Sequence, residues 1–517
     1  MLSDSKPKIS TCSVGGLLLE ATKYISDSVI EFTENEVLDR CNLFVAHNPN
    51  QATLESAFST LKPGGNLYAE WTVSWCFKTK TIKERLSRIG FNGIFLYLPK
   101  PDPSRSIPTI WIPLEVPGAI EFLVEAGYAR FSGLKISARI GYEFRRILWR
   151  LVPRLFLSYP WLLSSGSDQF SICSICSKPV VNIPDSRVTA TSLTFLKDYV
   201  STENLNQTQE LSALMLADSM DRGNKVVILV YQGRTYTPSL VVKASRTHES
   251  AFLLDNESAV LQSIDEKYKN IEGVPKILYA NRDNDINVNI QTIIGGARLS
   301  SILDRSNYQG YAELITDWLV NLAMNTKTLL PQNWHTRIVV SVLSDLESLL
   351  GGVVSPDFIH STNNALAALE IPSLVCEHRD LGPQNIYIDS DNNLGVIDWE
   401  YSRLYGIPAL DLIFFLTRAS MIIQGAPKAI TISESYRQMI DCDTFSGTIF
   451  YNCLNSYMDR LDISKSQIPA LRLMTWIVHY SWRMFYDKLS SEQPLDKEAL
   501  NHWSFTLWTE ESSISGN

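Results

Sequence analysis

The sequence predicts two unlike folds in tandem, an α/β domain over residues 1–178 and an α+β domain over residues 211–517, with a linker at 179–210. Three observations carry this. Short apolar runs alternate with helical patterns in the first part, as a parallel sheet with crossover helices requires. Pro, Ser, Thr and Asn crowd residues 179–210, which read as a connection with one short helix near Ser192. Beyond Leu211 strands come first and helices follow, and the most polar stretch of that part is held between short apolar runs.

In the first part, residues 29–32 and 42–47 read as strands, and 50–61 as an amphipathic helix with Leu54, Phe58 and Leu61 at helical spacing. Lys62-Pro63-Gly64-Gly65 stops that helix, and 66–71 resumes as strand. Residues 82–97 give a helix, a Gly90-Phe91 turn and another strand, and 170–177 a closing strand. Cys173 and Cys176 have the spacing of half a zinc site, yet no second Cys or His pair is near, and strand alternation puts them on opposite faces.

In the second part, 225–231 and 239–244 are strands around a turn, and the second carries Lys243. A helix with Glu257 follows, then strands at 274–278 and 288–294. Two helices fill 314–350, with Leu314, Trp318 and Leu322 along one face. After Leu416 the chain is helical and aromatic: Trp476, Tyr480, Trp482, Phe485, Tyr486, Trp503 and Trp508 read as core packing, with His479 a structural residue among them.

The chemistry concentrates in residues 371–416. Apolar runs at 373–376 and 386–388 flank His378-Arg379-Asp380-Leu381-Gly382-Pro383-Gln384-Asn385, and a hairpin turn at 389–393 leads through 394–397 into Asp398-Trp399-Glu400. Asp380, Asn385 and Asp398 therefore stand at strand ends facing one cleft. Singly, an Asp or Asn in a hairpin is an ordinary turn former. As an ordered set they meet the needs of phosphoryl transfer: an Asp to accept a hydroxyl proton, and an Asn and a second Asp to hold magnesium.

The run H-R-D-L-G-P-Q-N, then I-D-W-E, then G-I-P-A-L-D-L resembles the catalytic region of the aminoglycoside phosphotransferase and choline kinase family, which has a two-lobed protein-kinase-like fold. The resemblance implies that Asp380 is the catalytic base, that Asn385 and Asp398 are metal ligands, and that His378 and Asp411 are structural supports, Asp411 bracing the catalytic loop. It implies that Lys243 grips the α- and β-phosphates, that Glu257 holds Lys243, and that Thr292 and Ile294 lie in the hinge that meets adenine. ATP and Mg2+ would be the cofactors. The acceptor would be a small-molecule hydroxyl on a sugar, aminoglycoside, amino alcohol or natural-product intermediate. One departure is plain: no G-x-G-x-x-G covers the phosphates, and Ser219-Met-Asp-Arg-Gly223-Asn224-Lys225 stands there with a single glycine.

The turn L-K-P-G-G-N-L-Y and the segment 82–97 resemble the late half of a Rossmann-type methyltransferase domain. The glycine-rich turn of that family is missing, Gly15-Gly16 being the only pair available at the front, and about forty residues precede the strand at Asn42. A truncated methyltransferase-like domain without cofactor binding, serving as scaffold or docking surface, is the expectation. Two other readings stay open: a pseudokinase scaffold or binding protein without turnover, and a bifunctional methyltransferase–kinase that binds S-adenosylmethionine.

The totals bound the rest. At 517 residues and 45% hydrophobic the chain can build two or three cores. A net charge of -9 argues against a nucleic-acid partner, and an acidic cleft would suit a cationic acceptor. Eight cysteines suit a reducing cytosol, and the polar start lacks a secretory signal, so a cytoplasmic location is expected. No uncharged apolar run reaches the ~18–20 residues of a membrane span. The nearest, 145–163, is broken by Arg150, Pro153, Arg154 and Pro160. Oligomeric state is not legible.

Overall fold

The computed structural model describes residues 10–14, 28–31, 41–74, 79–100, 110–114, 116, 119, 169–179, 211–217, 225–232, 235, 237–268, 271–283, 286–350, 353–490 and 500–515. Gly15-Gly16, the 145–163 segment, nearly all of the 179–210 linker and positions 219–224 ahead of Lys225 lie outside the described residues.

Strand β1 (Ser10–Val14) pairs in parallel with β2 (Ser28–Glu31) and β3 (Cys41–His47). Helix α1 (Gln51–Thr60) starts where the Asn50 side chain accepts the Thr53 N–H at 2.8 Å, satisfying one of the four donors that a helix start leaves over. It returns the chain to β4 (Leu61–Ser74), which pairs in parallel with β3 as a crossover helix permits. The Lys62-Pro63-Gly64-Gly65 turn is absorbed into this strand, where the register jumps from Cys41↔Leu61 to Leu43↔Asn66. Helix α2 (Thr79–Ile89) ends at Gly90, whose φ of +110° lets the chain turn into β5 (Asn92–Lys100).

The expected all-parallel sheet is corrected from here on. Strand β7 (Gln169–Ser177) lies between β4 and β5, antiparallel to both, and β6 (Ile110–Pro113) is antiparallel to β5. Strand β7 thus covers the β4 edge of the parallel block and joins it to β5. Cys176 enters the apolar core, whereas Cys173 takes a hydrogen bond from the Tyr68 hydroxyl at 3.0 Å on the other face.

The sheet does not stop there. Strand β8 (Leu211–Leu216) pairs with β6 on one side and with β9 (Val226–Gln232) on the other. Then β10 (Leu240–Ala244), β11 (Ile277–Asp283) and β12 (Ile286–Thr292) complete one twelve-stranded order, β11-β12-β10-β9-β8-β6-β5-β7-β4-β3-β1-β2. Leu214, Leu216, Leu229 and Tyr231 enter the same core as Leu54, Leu67 and Leu96. The two predicted parts therefore share one sheet and one apolar layer. Helix α3 (His248–Lys267), opened by a Thr247/Ser250 capping box, packs on β12 and carries Glu257 inward.

The rest is helical. After β13 (Ala297–Arg298) come α4 (Leu299–Ile302), α5 (Tyr308–Thr326), a π-helical turn at Thr336–Val340 running into α6 (Ser341–Leu349), and α7 (Pro356–Leu366). Four short strands follow: β14 (Val375–Glu377), β15 (Ile386–Ile388), β16 (Leu394–Val396) and β17 (Arg403–Gly406). Helices α8 (Leu410–Gln424), α9 (Ile432–Ile440), α10 (Phe445–Arg460), α11 (Ile468–Ser490) and α12 (Trp503–Ser515) close the chain. Leu322 is buried in their common core, with Leu314 and Trp318 packed against it. Among the described residues no helix is long and apolar enough to cross a membrane.

Candidate active site

Two hairpin-like pairs set the polar loop. Strand β14 pairs with β17, and β15 with β16 in the register Ile386↔Val396. The Asp389 carboxylate closes the β15–β16 turn by accepting the backbone N–H groups of Asp391 and Asn393, each at 2.8 Å. One residue beyond the ladder, Ile397 N–H donates to the Asn385 carbonyl at 2.9 Å, which brings Asn385 beside Asp398.

The loop between β14 and β15 is braced from below. Asp411, in the first turn of α8, accepts the backbone N–H of His378 at 2.6 Å and of Arg379 at 2.7 Å. His378 Nδ1 accepts the Asp380 N–H at 3.2 Å, and Nε2 then donates to the Ile397 carbonyl at 2.9 Å, so the ring ties the loop to the strand before Asp398. Burial holds its pKa down at about 4, against the raising effect of that carbonyl, so the imidazole is neutral. Arg379, Asp398 and Ala409 have φ of +68°, +67° and +73°. Each such non-glycine residue costs roughly 1–3 kcal/mol, and such strain gathers where a site over-determines its backbone.

Asn385 Nδ2 donates to the Asp380 carboxylate at 2.8 Å and to its carbonyl at 2.9 Å. Burial, then the neighbouring Asp398 carboxylate, push the Asp380 carboxyl up to about 7, with Asn385 opposing. From β10 of the long sheet, Lys243 Nζ reaches Glu257 Oε1 at 2.6 Å and Asp398 Oδ1 at 2.8 Å. Lys225, at the start of β9, lies 3.0 Å from the same Asp398 oxygen and also pairs with Glu400. Burial works against both ammonium charges, but Asp398 with Glu400 and Glu257 raises Lys225, and Asp398 with Glu257 raises Lys243. Burial would raise Asp398, yet the two lysines hold it well below the usual carboxylate range. Two cations and three carboxylates share this buried cluster, and paired charges alone make such burial tolerable.

Two hollows flank the cluster. On the sheet side is a narrow apolar cleft between Leu216, Val227, Leu229 and Val241 above and Tyr387 and Ile397 below, reaching Lys243 and Asp398. Thr292 and Ile294 line it, as does Gln291, a buried side chain whose Nε2 has no partner among the described residues. On the helical side is a cavity of about 220 Å³ that opens onto Asp380, with Tyr401, Phe414, Trp482 and Trp503 as aromatic walls.

The model of the phosphotransferase enzyme family matches residues 219–439, which hold Lys225, Lys243, Glu257 and the whole polar loop. Over these residues the chain is similar to that family. Several solved structures are similar to the chain. A thermostable mutant aminoglycoside phosphotransferase in ternary complex with ADP and hygromycin B is 11% identical, with 63% of this chain and 98% of that chain covered and a TM-score of 0.40. An aminoglycoside phosphotransferase from Streptomyces rimosus is 16% identical over 56% of this chain and 98% of its own, with a TM-score of 0.35. A choline/ethanolamine kinase family protein from Mesorhizobium loti is 14% identical over 64% and 98%, with a TM-score of 0.34. Among curated proteins, none matches the sequence.

The structure brings Asp380, Asn385, Asp398, Lys243, Glu257, His378 and Asp411 into one connected network, and sets Thr292 and Ile294 in the apolar cleft. Five participants went unassigned in the sequence. Lys225 and Glu400 extend the ion cluster. Glu377, buried, holds Arg379 Nε at 2.9 Å and accepts the Ile407 N–H at 3.0 Å. Arg418 places its guanidinium 5.0 Å from the Trp503 ring centre. His479, expected to be structural, lines the cavity, its ring stacked on Phe414 at 3.8 Å between centroids. A helical period exposes it: His479, Trp482 and Arg483 stand at i, i+3 and i+4 on one face of α11, while Trp476 and Tyr480 face the core.

Proposed function

We propose that the phosphotransferase domain moves the terminal phosphate of ATP onto a hydroxyl of a small molecule. The observation that carries this reading is the Lys243 bridge from Glu257 to Asp398, set in the same network that binds Asn385 to Asp380. The apolar cleft takes the base, with backbone groups at Thr292 to Ile294 at its edge, and Lys243 and Lys225 point toward the phosphates. With positions 219–224 offering a single glycine, Lys225 supplies at the loop's end a charge that complements Lys243.

The oxygen donors suit magnesium. Asn385 spends its Nδ2 on Asp380, which leaves its carbonyl oxygen for a ligand, and Asp398 Oδ2 takes no hydrogen bond among the described residues. When bound there, the ion would neutralise phosphate charge. The acceptor hydroxyl oxygen attacks the γ-phosphorus as the bond to the β–γ bridging oxygen breaks, and Asp380 takes the hydroxyl proton. Asn385 orients the Asp380 carboxylate for this, and His378 and Asp411 hold the loop at its strained backbone angles.

For the first part, the parallel block β2-β1-β3-β4 with α1 and α2 supports a methyltransferase-like scaffold, continuous through the shared sheet with the strand that carries Lys243. A cytoplasmic location fits free cysteines at Cys41, Cys173, Cys176, Cys376, Cys442 and Cys453.

The test is magnesium-dependent ATP turnover across an acceptor panel, comparing the full chain with Asp380→Ala. Acceptor-dependent turnover lost in the variant supports the reading. Absence of turnover with every acceptor, and no difference between the two proteins, would sink it.

A further inference from the structure

The cavity beside Asp380 carries a charge opposite to that of the whole chain. The protein is acidic, at -9, yet the described cavity lining includes Arg379 and Arg483 and one carboxylate, Asp380 itself. Glu377 engages Arg379 through Nε only, and among the described residues neither terminal nitrogen of that guanidinium donates a hydrogen bond. The Arg379 guanidinium sits 5.5 Å from the ring centre of Trp482, which Arg403 also approaches at 5.5 Å. Behind the Trp503 wall, Arg418 makes no ion pair among the described residues. Arginine is the side chain best suited to a carboxylate or phosphate, because its planar fork matches both and it stacks on rings without losing charge.

The histidines report the same field. Burial, then Arg379 and neighbouring cations, push His479 well below its ordinary value, and burial, then Arg483 and Arg418, bring His502 to about 4. Both are neutral donors or acceptors at physiological pH, inside a region where added positive charge is disfavoured. The volume of about 220 Å³ equals roughly seven waters at ~30 Å³ each, enough for one substituted ring. The aromatic walls would lie against such a ring.

We infer that the phosphate acceptor is a single-ring-sized hydroxylated molecule carrying a carboxylate or phosphate group, bound by Arg379 with Arg483 and Arg418 adding to the field, and not a polyamine or quaternary amine. This rests on the phosphotransferase reading for the word acceptor, but the cavity's preference for an anion stands on its own geometry. A cationic molecule would have to share the catalytic Asp380 as its one described carboxylate.

Binding and transfer are measured separately on the full chain with ADP and magnesium present. Tryptophan fluorescence, with Trp482 and Trp503 in the walls, reads the affinity of glucuronate, glucose 6-phosphate, glucose and glucosamine. At least one anion is expected to bind tenfold or more tighter than glucose, and glucosamine weakest; comparing glucuronate with glucose 6-phosphate distinguishes carboxylate from phosphate. Arg379→Gln is expected to bring the anion to within about twofold of glucose, with Arg418→Gln as a second variant should the first fail to fold. Equal affinities across the series, tighter glucosamine, or no saturable binding of either anion would overturn the inference. Replacing ADP by ATP then tests transfer: anion binding without phosphorylation of any ligand contradicts the phosphotransferase reading and still supports the cavity's anion preference.

Discussion

The two sides of the Asp380–Asp398 pair are built from different material. The nucleotide side is a closed circuit of opposite charges, Lys225, Lys243, Glu257, Asp398 and Glu400, beneath apolar walls. The acceptor side is an arginine and aromatic box supplied largely by helices α8 and α11 and the start of α12. The first uses charges whose partners are fixed, Lys243 between Glu257 and Asp398 and Lys225 between Asp398 and Glu400. The second gathers its residues from three helices and the polar loop. The boundary between the two is the strained backbone at Arg379 and Asp398, where one residue faces each way.

Removing the group shared by both sides has the largest expected effect. Asp380→Ala should cut phosphate transfer by about 10²–10⁴-fold, the usual worth of a general base, while ADP affinity changes little. Next come the lysines, which test the nucleotide side alone. Lys243→Met should lower kcat/KM by about 10²–10³-fold, as loss of a preorganised cation does, and Lys225→Met by less, because Lys243 still reaches Asp398. Lys225→Met also leaves Glu400 buried without its cation, so thermal or urea unfolding should show a loss of up to about 3–5 kcal/mol. Lys225→Met with Glu400→Gln should recover much of that loss, and an additive double-mutant result would show that the pair is not coupled.

The acceptor side should respond in a different coordinate. Trp482→Leu is expected to weaken acceptor binding by about 0.5–1.5 kcal/mol beyond the lost area, seen as a raised acceptor KM with the nucleotide KM unchanged. A parallel rise in both constants would mean that the two hollows are not independent. The smallest effect belongs to the scaffold: Ala409→Gly should raise the unfolding midpoint slightly, since relief of a left-handed alanine, about 1–2 kcal/mol, is offset in part by glycine's larger entropy loss of about 0.5–1 kcal/mol.

How far this was legible in the sequence follows from the same comparison. The polar loop could be read because its members lie within 21 positions, between strands too short to be anything but hairpin arms. Lys243 and Glu257 could be read because one ends a strand and the other sits on the next helix, fourteen residues on. Lys225 could not, since a lysine opening a strand looks like a solvated residue until Asp398 and Glu400 are seen beside it. Strand β6 was hidden by its short, proline-bounded run, and with it the fusion of the two sheets. The aromatic tail was taken as uniform core. Helical phase divides it, burying Trp476, Tyr480 and Trp508 and turning His479, Trp482 and Trp503 toward the cavity.

Phosphorus NMR of the full chain with ATP, magnesium and a mixture of hydroxylated acids, sugars and amines tests the central claim most directly. The account predicts a new phosphate-ester resonance that grows as ADP forms, and that is absent with Asp380→Ala. ADP formation accompanied only by inorganic phosphate, or identical spectra from the two proteins, would contradict it.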